Sequence, residues 1–221
     1  MTNKNEHLVL KKVVYNMTSR YIARLYFIIL FTFSLFETRV FNFMSLNLFL
    51  AYIPFELCLL LRLFKPRKNY EWPLFIVFGL IFILLVPNTF YMLTDLIHLN
   101  QFTFDFYVRL NIMEWLYFTY ILLGVFLAIY CMILIFINIM HFTTKVWLNR
   151  TLIIVLMFLN GLGIYMGRFL RFHTVHLITE PFTIIHQVIT SLNTQTITFI
   201  LLMVLLQTVI IIFVKGVRVA K

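Results

Sequence analysis

Six long apolar runs constrain the fold of this chain more than any other feature. Each run is close to the roughly 20 residues that an α-helix needs to cross the hydrocarbon core of a membrane. Charged residues make up 12% of the chain, whereas soluble domains carry about 25%, so one globular core could not bury the apolar surface. The sequence therefore predicts an all-α, polytopic integral membrane protein. We expect its six spans at about 21–36, 44–64, 72–86, 115–140, 152–170 and 196–214.

The distribution of lysine and arginine predicts which side of the membrane each loop occupies. With six spans, both termini share a side, and that side carries basic clusters at 4–24, 62–68, 145–150 and 215–221. The opposite side carries Arg39, Arg109, Arg168 and Arg171. Because basic residues are enriched in cytoplasmic loops, we expect both termini in the cytoplasm. The predicted organisation is a basic tail (1–20), a single six-span domain (21–215) and a basic end (216–221).

The net charge of +10 does not predict a nucleic-acid partner. The basic residues flank the apolar runs, and the aromatic residues lie within those runs, so membrane lipids are the expected partners. Abundant Phe, Ile, Asn and Lys are typical of an AT-rich bacterial genome, and the expected location is therefore a bacterial inner (plasma) membrane. The sequence contains no nucleotide-binding, serine-hydrolase or zinc-protease motif and indicates no cofactor or oligomeric state.

A polar stretch, VPNTFYMLTDLIHL at 86–99, follows the third apolar run. Pro87 lacks an amide hydrogen, so we expect it to kink or restart the helix at the membrane boundary. If helical spacing resumes, one face carries four polar side chains: Asn88, Tyr91, Asp95 and His98. Lipid would penalise that face, which should therefore point into the bundle or an aqueous vestibule.

This polar face is a candidate site. Asp95 and His98 are the candidate catalytic residues, because they could supply acid–base chemistry. Asn88 and Tyr91 would bind the substrate or orient the catalytic groups. The alternative is a polar helix end that anchors its neighbours by hydrogen bonds.

A second polar stretch, GRFLRFHTVH at 167–176, follows the fifth apolar run. Arg168 and Arg171 are three residues apart and would share one helical face. Because basic residues on the outer side run against the topology bias, a carboxylate or a bound phosphate should compensate them. We therefore expect both arginines to bind an anionic substrate, with snorkelling to lipid headgroups as the alternative. Upstream, Gly163 and Gly167 form a GxxxG step, which usually marks close helix packing.

The outer segment 171–193 contains one further pattern. Apolar residues recur at helical spacing from Phe182 to Leu192, and Pro181 suits a first helical turn. The pattern predicts a short helix in the membrane interface rather than a seventh span.

The two polar stretches together resemble an uncharacterised family of bacterial multi-pass membrane proteins, catalogued as domain of unknown function 1361. Members share a PNxxYxxTDLxHL-type stretch and a GRFLRW-type stretch. The matching positions here are Pro87, Asn88, Tyr91, Thr94, Asp95, Leu96, His98, Leu99, Gly167, Arg168, Phe169, Leu170 and Arg171. The family pattern usually continues Trp-Asn-Ser-Trp-Asp, whereas this chain continues Phe-His-Thr-Val-His at 172–176. The resemblance covers about residues 20–215 and implies no established activity.

The departure from the family pattern suggests a metal hypothesis. Asp95 and His98 are three residues apart, as are His173 and His176, and both pairs are predicted on the outer side. Two such pairs could present four ligands to Zn²⁺. Ordinary interfacial hydrogen bonding of these histidines is the simpler interpretation.

Three functional classes stay open at this point. The leading hypothesis is a membrane-embedded binding protein or enzyme with an outer-leaflet polar pocket for an anionic, lipid-linked or phosphate-bearing substrate. The second is a small transporter or channel lined by Glu56 and the helix breaks at Pro54 and Pro87, although Glu56 could instead be paired for structural reasons. The third is a non-catalytic scaffold whose polar motifs lock helices together.

Overall fold

The computed structural model of the protein is all-α, as the apolar runs predicted. It describes residues 2–36, 40–104, 107, 110–172 and 181–219. Within these residues there are seven α-helices and no strand. They are α1 (Thr2–Phe36), α2 (Met44–Leu63), α3 (Trp72–Tyr91), α4 (Ile112–Met140), α5 (Val146–Arg168), α6 (Pro181–Ser191) and α7 (Thr194–Val219), with 3₁₀ helices at Asn69–Glu71 and Met92–Gln101.

Six segments of the described chain are long and apolar enough to cross a membrane, which confirms the six-span prediction. They are Met17–Phe36, Met44–Leu63, Asn69–Gln101, Ile112–Met140, Val146–Arg168 and Thr194–Val217. With this alternation, the described residues 40–43, 92–104, 107, 110–111, 169–172 and 181–193 lie at one end of the bundle, which we call the site end. The connections 64–71 and 141–145 lie at the other end, which we call the termini end.

The short interfacial helix predicted between the fifth and sixth spans is α6. Its 11 residues extend over about 16 Å, which is too short to cross the hydrocarbon core. Phe182 and Ile189 are 86% and 63% exposed, whereas Ile184 is buried. An exposed apolar stripe beside a buried one is typical of a helix that lies in the membrane interface.

The core lies between α2, α3 and α4, where large apolar side chains interlock. Gly124 of α4 creates space in this core, because an added Cβ would collide with the ends of Met44 and Met92. At the edge of the bundle, α7 packs mainly on α5. There the buried Asn160 Nδ2 donates to Gln207 Oε1 at 2.8 Å, which is the interhelical polar contact that membrane bundles use. The largest fully buried side chains include Phe41, Phe55, Phe90, Leu48, Ile121, Leu127, Met132 and Ile135.

Two glycines bring α5 against α3. A Cβ added at Gly163 would lie 2.5 Å from Pro87 Cβ, and one added at Gly167 would lie 3.1 Å from the Tyr91 ring. The glycines are four residues apart, as are Pro87 and Tyr91, so the contacts repeat along one face of each helix. The GxxxG step therefore does what its pattern predicted, because it lets the two helices approach closely. This approach places the end of α5 beside the polar stretch that follows α3.

We predict that Gly163→Ala lowers the free energy of unfolding by about 1–3 kcal/mol, as overpacking of a close contact does. The matched control is Gly79→Ala in α3, where an added Cβ meets nothing within 4 Å and should be neutral or slightly stabilising. Thermal unfolding of the purified protein, followed by tryptophan fluorescence, measures both variants. Equal midpoints for the two alanine variants would contradict this account of the α3–α5 contact.

Candidate functional site

The polar stretch after α3 forms a 3₁₀ helix, Met92–Gln101, which we call the 3₁₀ segment. Pro87 does not end α3, which continues to Tyr91. A 3₁₀ helix has three residues per turn, so Asp95 and His98 lie on one edge of the segment. Runs longer than three or four residues are uncommon in this geometry, and this one has 10 residues. Contacts from other helices must therefore hold it.

Asp95 is the centre of those contacts. Its side chain is fully buried, and both carboxylate oxygens accept hydrogen bonds from other helices. Asn47 of α2 donates through Nδ2 to Oδ2 at 2.7 Å, and Arg168 of α5 donates through Nη2 to Oδ1 at 2.6 Å. One carboxylate thus joins α2, the 3₁₀ segment and α5, and the arginine neutralises its charge.

The planar guanidinium group of Arg168 is held by hydrogen bonds along one edge and by an aromatic ring on one face. Its Nε and Nη2 atoms both donate to Thr94 Oγ1, at 3.2 and 2.7 Å, and the Thr94 hydroxyl donates to the Tyr91 carbonyl at 2.7 Å. The guanidinium lies over the Tyr91 ring, 4.4 Å from its centroid, in a cation–π contact. The Arg168 side chain is 19% exposed. The cluster therefore fixes a charged donor group that still reaches the surface at the site end.

His98 completes the cluster on its exposed side. Its Nε2 atom lies 3.4 Å from Arg168 Nη1 and 3.9 Å from Asp95 Oδ1, and its ring packs on Phe43 at 4.4 Å between centroids. Because a guanidinium only donates, Nε2 must accept in this arrangement, and the neutral imidazole then carries its proton on Nδ1. The contact between Arg168 and His98 is the longest hydrogen bond in the cluster, and the His98 side chain is 30% exposed, more than those of Asp95 and Arg168.

The structure brings together four of the residues that the sequence singled out: Tyr91, Asp95, His98 and Arg168. Asn88 is not among them, because its side chain donates to the Leu85 carbonyl of its own helix at 3.1 Å. The expectation that Arg168 and Arg171 share a helical face is wrong, because α5 ends at Arg168 rather than at the predicted residue 170. Arg171 instead lies beyond the helix end, has a left-handed backbone conformation with φ 57° and is exposed.

The metal hypothesis concerns residues that are only partly described. His173 and His176 lie outside the described residues, so the four-ligand zinc site stays a prediction. Among the described residues, no group of three or more His, Cys, Asp or Glu side chains is placed to hold a metal ion. Asp95 and His98 lie together, but both Asp95 oxygens are already engaged by Asn47 and Arg168.

Two members of the cluster received no role from the sequence. Asn47 is a polar residue in the first turn of the second span, and only the fold shows that it meets Asp95 across 48 positions. Thr94 lies within the polar stretch, but α-helical spacing placed it beside the candidate face rather than on it. A signal for Asn47 did exist, since a lone amide in an apolar run needs a hydrogen-bonding partner.

Glu56 belongs to a separate cluster near the termini end. Arg24 of α1 donates to both of its oxygens, at 2.8 and 2.9 Å, and the Tyr52 hydroxyl donates to it as well. This bidentate pair is the structural pairing that the sequence offered as one explanation of Glu56. The transport hypothesis, which assigned Glu56 to a path, receives no separate support from this geometry.

Comparison with known proteins places this arrangement in a family. The family described as "Protein of unknown function (DUF1361)" matches residues 46–210, well over half of the chain. The chain belongs to this family. The DUF1361 region contains the whole cluster around Asp95, whereas Arg24 of the second cluster lies before it. No curated protein and no solved structure matches the chain.

We predict strong energetic coupling between Asp95 and Arg168. Asp95→Ala should lower the free energy of unfolding by about 3–5 kcal/mol, because it leaves a largely buried guanidinium without its partner. In the double variant Asp95→Ala, Arg168→Met, the loss should be smaller than the sum of the two single losses by about 2 kcal/mol. Denaturant titration of the four proteins in detergent measures this cycle.

Arg171→Ala is the control for that cycle. The Arg171 side chain is exposed, so its removal should change the free energy of unfolding by no more than about 0.5 kcal/mol. Strictly additive losses for Asp95 and Arg168 would show that the ion pair does not hold the helices together.

Proposed function

We propose that this integral membrane protein binds an anionic substrate at the site end of the bundle. The substrate carries a phosphate group and is linked to a lipid. In this proposal the membrane is a bacterial inner membrane, and the site end faces outward. The excess of Lys and Arg at the termini end supports that orientation. The site is an oriented arginine at the membrane boundary rather than a deep catalytic cleft.

The orientation of Arg168 is the observation that carries the proposal. Thr94 accepts from Nε and Nη2, Asp95 accepts from Nη2, and the Tyr91 ring covers one face of the guanidinium. These contacts leave the Nη1 edge directed toward His98. A phosphate oxygen between Arg168 Nη1 and a protonated His98 Nε2 would accept a hydrogen bond from each of them. These two bonds would replace the 3.4 Å contact between Nη1 and Nε2. Arginine presents donors in the planar geometry that phosphate accepts well. The cluster therefore offers a pre-oriented edge to an anion at little structural cost.

Arg171 adds a second positive charge to the same end. Its left-handed backbone conformation, φ 57°, is uncommon for a residue other than glycine and costs of the order of 1 kcal/mol. The Phe172 N–H donates to the Met166 carbonyl at 3.1 Å across this turn. The turn thus keeps Arg171 close to the end of α5, where it would attract an anion electrostatically.

The two candidate acid–base residues receive different roles in this proposal. Asp95 is buried and doubly hydrogen-bonded, so it acts as a positioning residue that orients Arg168. His98 is partly exposed and contacts the Nη1 edge of the guanidinium. Any proton transfer to a bound group would therefore involve His98 rather than Asp95.

A scaffold function is the second candidate, and one observation favours it. Both oxygens of Asp95 are satisfied within the chain, and the same contacts join three helices. A polar cluster with this connectivity could serve only to lock the bundle. The two functions differ in whether the exposed side of the cluster selects a phosphate.

Ligand binding separates the two candidates. We predict that the purified protein retains a polyprenyl monophosphate more tightly than the matching polyprenyl alcohol, as measured by native mass spectrometry. His98→Phe, which keeps a ring against Phe43 but removes both nitrogens, should raise the Kd for the phosphate about tenfold. Arg171→Gln should raise it about two- to fivefold.

Lys215→Gln is the control variant, because it removes an exposed positive charge near the termini end and should leave the Kd unchanged. Equal retention of the phosphate and the alcohol by the wild-type protein would contradict the proposed function. The scaffold would then be the better account of the cluster.

A further inference from the structure

The termini end carries a basic surface that the proposed function does not use. It is built on the two connections 64–71 and 141–145 and on the helix turns beside them. Its exposed cations include Arg62 and Lys65, whose side chains donate to Asn138 and Phe142. We call the other four, Arg67, Lys68, Lys145 and Arg150, the basic patch. These positions lie at the opposite end of the bundle from Asp95 and Arg168.

The two connections are fastened to each other. Lys65 Nζ donates to the Phe142 carbonyl at 3.2 Å and lies 5.5 Å from the centroid of the Phe142 ring. The Phe142 ring also stacks with Phe75 at 6.3 Å between centroids, and Phe75 meets Trp72 edge-on at 5.9 Å. Contacts of Lys65 and these three aromatic rings thus join the two connections that carry the basic patch.

The protein does not neutralise the basic patch from within its described residues. Glu71 is the acidic residue of the two connections, and its carboxylate accepts the backbone N–H groups of Arg67 and Lys68 at 2.6 and 3.3 Å. The ion pairs found among the described residues join Arg24 to Glu56, and Arg168 and His98 to Asp95. The four cations therefore present their charge outward, where an external anion can meet it.

The aromatic residues beside the basic patch identify the partner as lipid. Tyr70, Trp72 and Trp147 are 72%, 50% and 65% exposed, and Tyr and Trp are enriched at the level of lipid headgroups. The 20 residues of α3, which begins at Trp72, extend about 30 Å and match the hydrocarbon thickness. Trp72 therefore marks the membrane boundary, and the basic patch lies at the adjoining headgroup level.

We propose that the basic patch is a binding site for anionic phospholipid headgroups in the leaflet at the termini end. Arg67, Lys68, Lys145 and Arg150 pair with lipid phosphates, while Trp72 and Trp147 contact the upper acyl chains. An acidic surface of another protein is the competing partner, and it would not need the exposed indoles. The site is independent of the phosphate-binding function proposed for the site end.

Tryptophan quenching tests this site in the intact chain. The chain has three tryptophans, and Trp115→Phe leaves only Trp72 and Trp147, both beside the basic patch. The protein is reconstituted in two sets of vesicles that have the same ratio of phosphatidylglycerol to phosphatidylcholine. The acyl chains of phosphatidylglycerol carry bromine in one set, and those of phosphatidylcholine carry it in the other. We expect the quenching to show that phosphatidylglycerol around the two tryptophans is enriched about two- to fivefold over its mole fraction in the vesicles.

Two variants in this background assign the effect. Replacing the four cations of the basic patch by Gln should abolish the preference for phosphatidylglycerol, whereas Arg171→Gln at the site end should leave it intact. Quenching in proportion to mole fraction in the parent protein would overturn the proposal and favour a protein partner. A preference that survives the four Gln substitutions would also overturn it. Loss of phosphate binding in His98→Phe has no effect on this readout, so the two proposals fail separately.

Discussion

The ion pair between Asp95 and Arg168 organises the site end of this bundle. A buried charge without a partner is strongly destabilising, so each of these side chains requires the other to stay in place. Asn47 binds the second carboxylate oxygen, and α2 is thereby tied to the same point. The close contacts of Gly163 with Pro87 and the stacking of Arg168 on Tyr91 act in the same direction. Packing and charge pairing together therefore set how α5 lies along α3.

The fold could be predicted from the sequence because lipid imposes one dominant rule, that spanning segments are long, apolar and helical. The grouping of Tyr91, Asp95 and His98 was also predictable, since all three lie on one short segment. Contacts between distant segments were not. Asn47 was missed because nothing local links it to Asp95, and Arg171 was misplaced because the helix end at Arg168 depends on local hydrogen bonding that periodicity does not report.

The structure changes the chemical meaning of the polar cluster. A motif with an aspartate and a histidine suggests acid–base chemistry, but the aspartate here is enclosed and its oxygens are occupied. In the proposed function it fixes the direction of Arg168, as a carboxylate does when it orients a group that binds a ligand. The proposed binding surface then consists of the Nη1 edge of Arg168 and the partly exposed imidazole of His98. At the opposite end of the bundle, the basic patch forms no ion pair with a described carboxylate and lies near exposed indoles, so we propose different contacts for the two ends.

Solid-state NMR distance measurements would test the central claim most directly, that Asp95 orients Arg168 toward a bound phosphate. The protein would carry ¹⁵N in arginine side chains and ¹³C in aspartate carboxylates, with Arg168→Lys used to assign the signals. The account predicts a short ¹⁵N–¹³C contact between Arg168 and Asp95 without ligand. Once polyprenyl phosphate is bound, the ¹⁵N–¹³C contact should persist and a new ¹⁵N–³¹P contact should appear. An Arg168 signal that shows no contact with a carboxylate would contradict the account. The absence of any ¹⁵N–³¹P contact at Arg168 under saturating polyprenyl phosphate would also contradict it.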